Sequence, residues 1–122
     1  MNILRTIPVF FSLLILNSYA QSDEKKIEFL LKKIEDSKAI FIRNGEEHPA
    51  KKAKSHLEQK MKMATKMFWF FGPSKKITVE EFITKIASSS STTGEIYKIR
   101  LKNGKIYSTE EWLRLKLKEY HD

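Results

Sequence analysis

Cysteine is absent from this sequence. Disulfide staples, thiol nucleophiles and thiolate metal ligands are therefore excluded, and the fold must hold by packing in either redox compartment. Proline and glycine are scarce, 3 and 4 of 122 residues, which rules out collagen-like or linker-like character. Acidic residues are outnumbered, 15 against 23 Lys and Arg, leaving a formal net charge of +8. A charge of that size suits an anionic partner, although it equally serves solubility. HExxH, Gly-x-Ser-x-Gly, phosphate-loop and dinucleotide fingerprints are all missing, so no cofactor or metal is expected and catalysis is the lesser reading.

Long apolar runs are missing too, except near the start. Ile7 to Leu16 is apolar, follows Arg5, and precedes Ser18-Tyr19-Ala20, which places small residues at −3 and −1 of a cleavage site. The run is about half the roughly 20 residues needed to cross a hydrocarbon core, so it reads as a signal peptide, residues 1–20, and not as a membrane span. Cleavage after Ala20 would start the mature chain at Gln21 and place it in the periplasm or outside the cell. Residues 21–122 then form a single domain of α+β class, at a charge of +7 because Arg5 is the only charged residue of the leader.

Ile27, Leu30, Leu31 and Ile34 recur at helical spacing between charged residues and predict a first amphipathic helix, with Phe29 off the stripe. Ala39 to Ile42 is a short extended run. Arg43 to His48 reads as a polar turn closed by Pro49, the first residue of a long second helix. That helix carries Ala53, Leu57, Met61, Ala64, Phe68 and Phe71 on one stripe and ends at Gly72-Pro73. Thr78 with Glu81 predicts a capping box for a third helix burying Phe82, Ile83 and Ile86, and Ser108 with Glu111 predicts the start of a fourth.

Between the last two helices, Asn103-Gly104 signals a hairpin with a type I′ turn. A two-residue loop would pair Leu101 with Ile106 and Arg100 with Tyr107. Tyr97, Ile99, Leu101 and Ile106 would then share the core face, and Lys98, Arg100, Lys102, Lys105 and Tyr107 the outer one. The expected architecture is about four helices with this one C-terminal hairpin.

Phe41-Ile42-Arg43-Asn44-Gly45, Glu47-His48, Ala53, His56-Leu57, Lys60, Phe82, Ile86, Gly94, Tyr97, Ile99-Arg100, Gly104-Lys105 and Trp112-Leu113 together resemble a family of small exported bacterial proteins of unknown function. The resemblance covers nearly the whole mature chain and implies export, to a Gram-negative periplasm, without implying an activity. Met67 to Lys76, with its Phe-Trp-Phe-Phe-Gly-Pro run, departs from it.

The first candidate site is the polar turn, where Arg43, Asn44, Glu47 and His48 bring a cation, an amide, a carboxylate and an imidazole to a helix N-terminus. The structural alternative has Arg43 paired with Glu47 to brace the turn and His48 capping the helix. His56 lies eight residues beyond His48, about 12 Å along an ideal helix, so the two would share a metal only if the chain bent before Pro49. The second candidate is the basic hairpin face of Lys98, Arg100 and Lys105, whose alternative role is to discourage edge-to-edge aggregation. The third is Trp69, off the core stripe among lysines, as a peripheral anchor at a membrane headgroup zone.

These readings lead to an exported binding or structural protein of the cell envelope that recognises an anionic or peptidic component, such as a lipid headgroup, a glycan or an envelope protein. The rival is a small hydrolase-like envelope enzyme with His48 or His56 as base, Glu47 orienting it and Arg43 holding the substrate. Nucleic acid is the poorest partner, because one aromatic makes a weak stacking platform.

Overall fold

A computed structural model describes residues 22–69 and 76–122. The expected signal peptide and the expected continuation of the second helix to Phe71 and a Gly72-Pro73 stop fall outside the described residues, as do the Phe68 and Trp69 side chains.

The first helix, α1, covers residues 22–37. Its predicted stripe is buried: Leu30 and Ile34 are wholly enclosed, and Ile27 and Leu31 nearly so. Phe29, off that stripe, meets Tyr120 edge-on at 5.3 Å, so the C-terminal tail covers what the helix period leaves out. The chain then enters β1 (Ile40–Arg43), turns at Asn44-Gly45, and returns as β2 (Glu46–Pro49). The long helix α2 (Ala50–Trp69) follows, burying Ala50, Ala53 and Leu57 with Met61 and Ala64 packed behind them.

The third helix, α3, starts at Val79–Glu81 and continues as a π-helical turn over Phe82–Ile86. The Thr78 side chain accepts from the Glu81 amide, and the Glu81 carboxylate accepts from the Thr78 amide, completing the capping box foreseen from the sequence. Strands β3 (Lys98–Arg100) and β4 (Ile106–Ser108) lead into α4 (Thr109–Leu117), which Ser108 caps by accepting from the Glu111 amide.

The domain is α+β, as expected, but the C-terminal hairpin is not alone. The four strands form one antiparallel sheet in the order β2-β1-β3-β4. Sequence reading missed the β1–β2 hairpin because Glu-Glu-His-Pro has little strand propensity and pairs only along the sheet edge. Its turn gives the reason for Asn44-Gly45: both residues have positive φ, 51° and 77°, as a two-residue type I′ turn requires.

At Asn103-Gly104 the outcome is reversed. The pairing is Arg100 with Ile106 and Ile99 with Tyr107, one residue out of the expected register. The Leu101 amide donates to the Lys105 carbonyl and the Gly104 amide to the Leu101 carbonyl, so three residues form the loop and Gly104 alone takes positive φ. That is the geometry of a type I turn with a glycine bulge. Since strand side chains alternate, a one-residue shift changes faces. Tyr107 therefore packs towards the core while Ile106, 56% exposed, lies on the outer face.

One row of side chains crosses the inner face of the sheet: His48, Phe41, Ile99 and Tyr107. Phe41 and Ile99 are buried there against the helices with Leu57, Phe82, Trp112 and Leu113. Arg43, two residues beyond Phe41, shares this inner face and is aimed at α2.

Candidate functional site

Arg43 leaves the end of β1 and reaches His56, two turns into α2. Its Nη1 lies 2.7 Å from Nδ1 and 2.6 Å from Nε2 of the imidazole. A guanidinium only donates, so a hydrogen bond here uses the one ring nitrogen without a hydrogen and favours the neutral imidazole. Partial burial is the first cause holding His56 below the ordinary histidine range, followed by the positive charges of Arg43 and Lys60 and by coupling to His48. The ring also stands edge-on to Tyr97, at 6.4 Å between centroids.

Lys60, one turn further along α2, completes the cluster. Its Nζ donates to the carbonyls of Ile86 and Ser89, at 2.8 and 2.7 Å, and lies 5.1 Å from the centre of the Tyr97 ring. Burial and then Arg43 depress its basicity. Tyr97 is itself buried, which raises its phenol, opposed by Arg43 and by a hydrogen bond with Ser90.

Asn44 ties the hairpin turn to the loop before β3. It donates to the Ser90 hydroxyl at 3.3 Å and accepts from the Thr93 hydroxyl at 2.7 Å. Ser90 is buried, and its hydroxyl lies 3.0 Å from that of Thr92. These residues form one end of a groove of about 580 Å³, within the usual range for a small-molecule site. The groove continues past Met63, Ala64, Ile77 and Ile86, with Gln59, Lys85 and Ser91 at exposed positions and Glu81 also lining it. Among the described residues, no carboxylate forms an ion pair with Arg43 or Lys60.

Of the polar-turn residues, the structure brings Arg43 and Asn44 to this groove and directs the other two elsewhere. Glu47 pairs with Ile42 on the outer sheet face and forms an ion pair with Arg100, so the expected brace between Arg43 and Glu47 does not exist. His48 does not cap α2. It faces inward from β2, with Nε2 buried and 3.6 Å from a Glu46 carboxylate oxygen, beyond hydrogen-bond length. It lines a separate cavity of about 50 Å³, shared with Arg43, His56 and the buried Thr109 hydroxyl, and wide enough to admit water. Among the described residues no group of three histidines and carboxylates is arranged to hold a metal.

The basic hairpin face is corrected in the same way. Lys98 and Arg100 lie together on the outer face, but the bulge separates Lys105 from them and moves Tyr107 to the core side. Lys60, Ser90 and Tyr97 were not picked out as site residues by sequence reasoning. Lys60 had a signal, being one turn after His56 on the same helical face.

A family model for a family of unknown function, DUF5329, matches residues 21–121. The chain belongs to that family. Among curated proteins, it is similar to the uncharacterised protein YfeK of Salmonella typhimurium, at 36% identity over 76 residues, or 62% of this chain. The match spans 57% of that relative's length. No solved structure matches the chain. Arg43, Asn44, His56, Lys60 and Tyr97, all among the residues by which the sequence resembles such a family, converge on the groove.

Proposed function

We propose that this DUF5329 member is an exported binding protein of the bacterial cell envelope, recognising the anionic group of an envelope component in the Arg43–His56–Lys60 groove. One observation carries the reading: two cations and a histidine crowd one end of a drug-sized groove without an acidic partner among the described residues. Beyond the effect of burial, Arg43 depresses the basicity of His56 and Lys60, and Lys60 that of His56, and an anion placed among them relieves that repulsion. Charge-assisted hydrogen bonds from Arg43 and Lys60 are the strong kind, with the second amide hydrogen of Asn44 as a neutral partner.

The rival enzyme draws less support from the geometry. It needs Glu47 to orient a histidine, and Glu47 stands on the opposite face of the sheet, paired with Arg100. A neutral His56 could act as a base, yet no described carboxylate orients it.

Titrating the protein with acetate and with inorganic phosphate, followed by amide and histidine-ring NMR, tests the proposal. Saturable shifts are expected at Arg43, Asn44, His56 and Ser90, weakening with added salt and lost in Arg43→Ala. Shifts confined to Lys98 and Arg100 would move the site to the outer sheet face, and no saturable shift anywhere would end the reading.

A further inference from the structure

The groove changes character along its length. At one end are Arg43, His56 and Lys60; beyond them the wall is Met63, Ala64, Ile77 and Ile86. Ile86 belongs to the core, but Met63 is 67% exposed on the solvent side of α2. An exposed methionine beside a groove is an adaptable apolar contact. A purely hydrophilic anion, such as phosphate alone, would leave this wall unused.

The backbone around the groove narrows the choice further. An extended peptide needs partners for its amides and carbonyls, usually from an open strand edge. Here several of those groups are already engaged. The carbonyls of Ile86 and Ser89 accept from Lys60, the Ser90 amide donates to the Glu95 carbonyl, and the Tyr97 amide donates to the Ser88 carbonyl. A peptide laid along Met63, Ala64 and Ile77 would bury amides against carbon, at about 1–3 kcal/mol for each unsatisfied group. An alkyl chain carries no such groups.

We infer that the ligand class is an acyl carboxylate, with its carboxylate held at Arg43 and Lys60 and its hydrocarbon chain laid against Met63, Ala64, Ile77 and Ile86. This rests on the cationic cluster being an anion site and adds that the chain, as well as the charge, is recognised. Asn44 and the Ser90 hydroxyl lie on the carboxylate side.

The test is a chain-length series with the purified protein, using acetate, butanoate, hexanoate, octanoate and decanoate below their micelle concentrations. Decyltrimethylammonium is the charge-reversed control. Affinity should rise with length, by up to about tenfold per two methylenes, as expected for buried CH₂ groups. Bound octanoate should show NMR contacts to the Met63 and Ile77 methyl groups. The exposed Met63→Gln variant should weaken octanoate several-fold more than it weakens acetate. Saturable acetate and phosphate binding that does not tighten with chain length would overturn the acyl inference and leave the anion site standing. Decyltrimethylammonium binding as tightly as decanoate would overturn both, as would the absence of binding by any carboxylate. An apolar tripeptide with a free C-terminus that displaces decanoate at lower concentration would replace the acyl chain by a peptide.

Discussion

Arg43 and His56, on a strand and a helix thirteen residues apart, are joined by a guanidinium that meets the imidazole nitrogens at 2.6–2.7 Å. A histidine bonded in this way serves as an acceptor. Its proton affinity is therefore tied to the arginine and to whatever neutralises it.

His56 should titrate below the ordinary histidine value of 6.5, because of burial first and then its cationic neighbours. The unfolded chain then binds a proton that the folded chain resists, so the contribution of His56 to stability is complete above pH 6.5. It is lost as pH falls from there towards the folded value. Urea midpoints measured between pH 7.5 and 5.5 should decline, and His56→Gln should flatten that part of the decline. Ring NMR should show the His56 midpoint moving up in Arg43→Ala.

Gly45→Ala should destabilise the fold by about 1 kcal/mol through backbone strain alone. Gly45 sits at φ 77° with nothing within 4 Å of an added Cβ, so no clash contributes. In a domain of about 100 residues this corresponds to a fall of several degrees in Tm. An unchanged Tm would show that the β1–β2 turn is not held in this geometry.

Thr78→Ala should cost about 1 kcal/mol by removing one half of the capping box, whereas Thr78→Ser should preserve most of it. The α3 amides are the place to see this, by faster hydrogen exchange at Glu81 and Phe82 in the alanine variant only.

Export makes a separate prediction. Protein recovered from its native envelope should begin at Gln21, read by N-terminal sequencing or intact mass, and a chain retaining Met1 there would contradict cleavage.

The helices were legible because each declares itself locally. Leu30 and Ile34 follow the 3.6-residue period, and Thr78 and Ser108 stand where their oxygens meet amides three residues on. The sheet was less legible because its register depends on a single turn residue. Asn103 and Gly104 carry the same letters as Asn44 and Gly45, yet the first pair forms a bulged three-residue loop and the second a two-residue turn. Spacing along the chain also grouped Arg43 with Glu47 and His48. Strand alternation sends Glu47 to the far face, and the partners Arg43 does find, His56 and the Lys60 environment, come from a different element.

Lys60 has three ammonium hydrogens, and the carbonyls of Ile86 and Ser89 account for two of them. A free lysine gives up much of its rotamer freedom when it grips a ligand. This one is already fixed by the C-terminal end of α3, with a single donor left over. It can supply one directed bond and a stationary charge, but it cannot swing to follow a moving guest. The groove should therefore discriminate by where an anion sits more than by how many charges it carries.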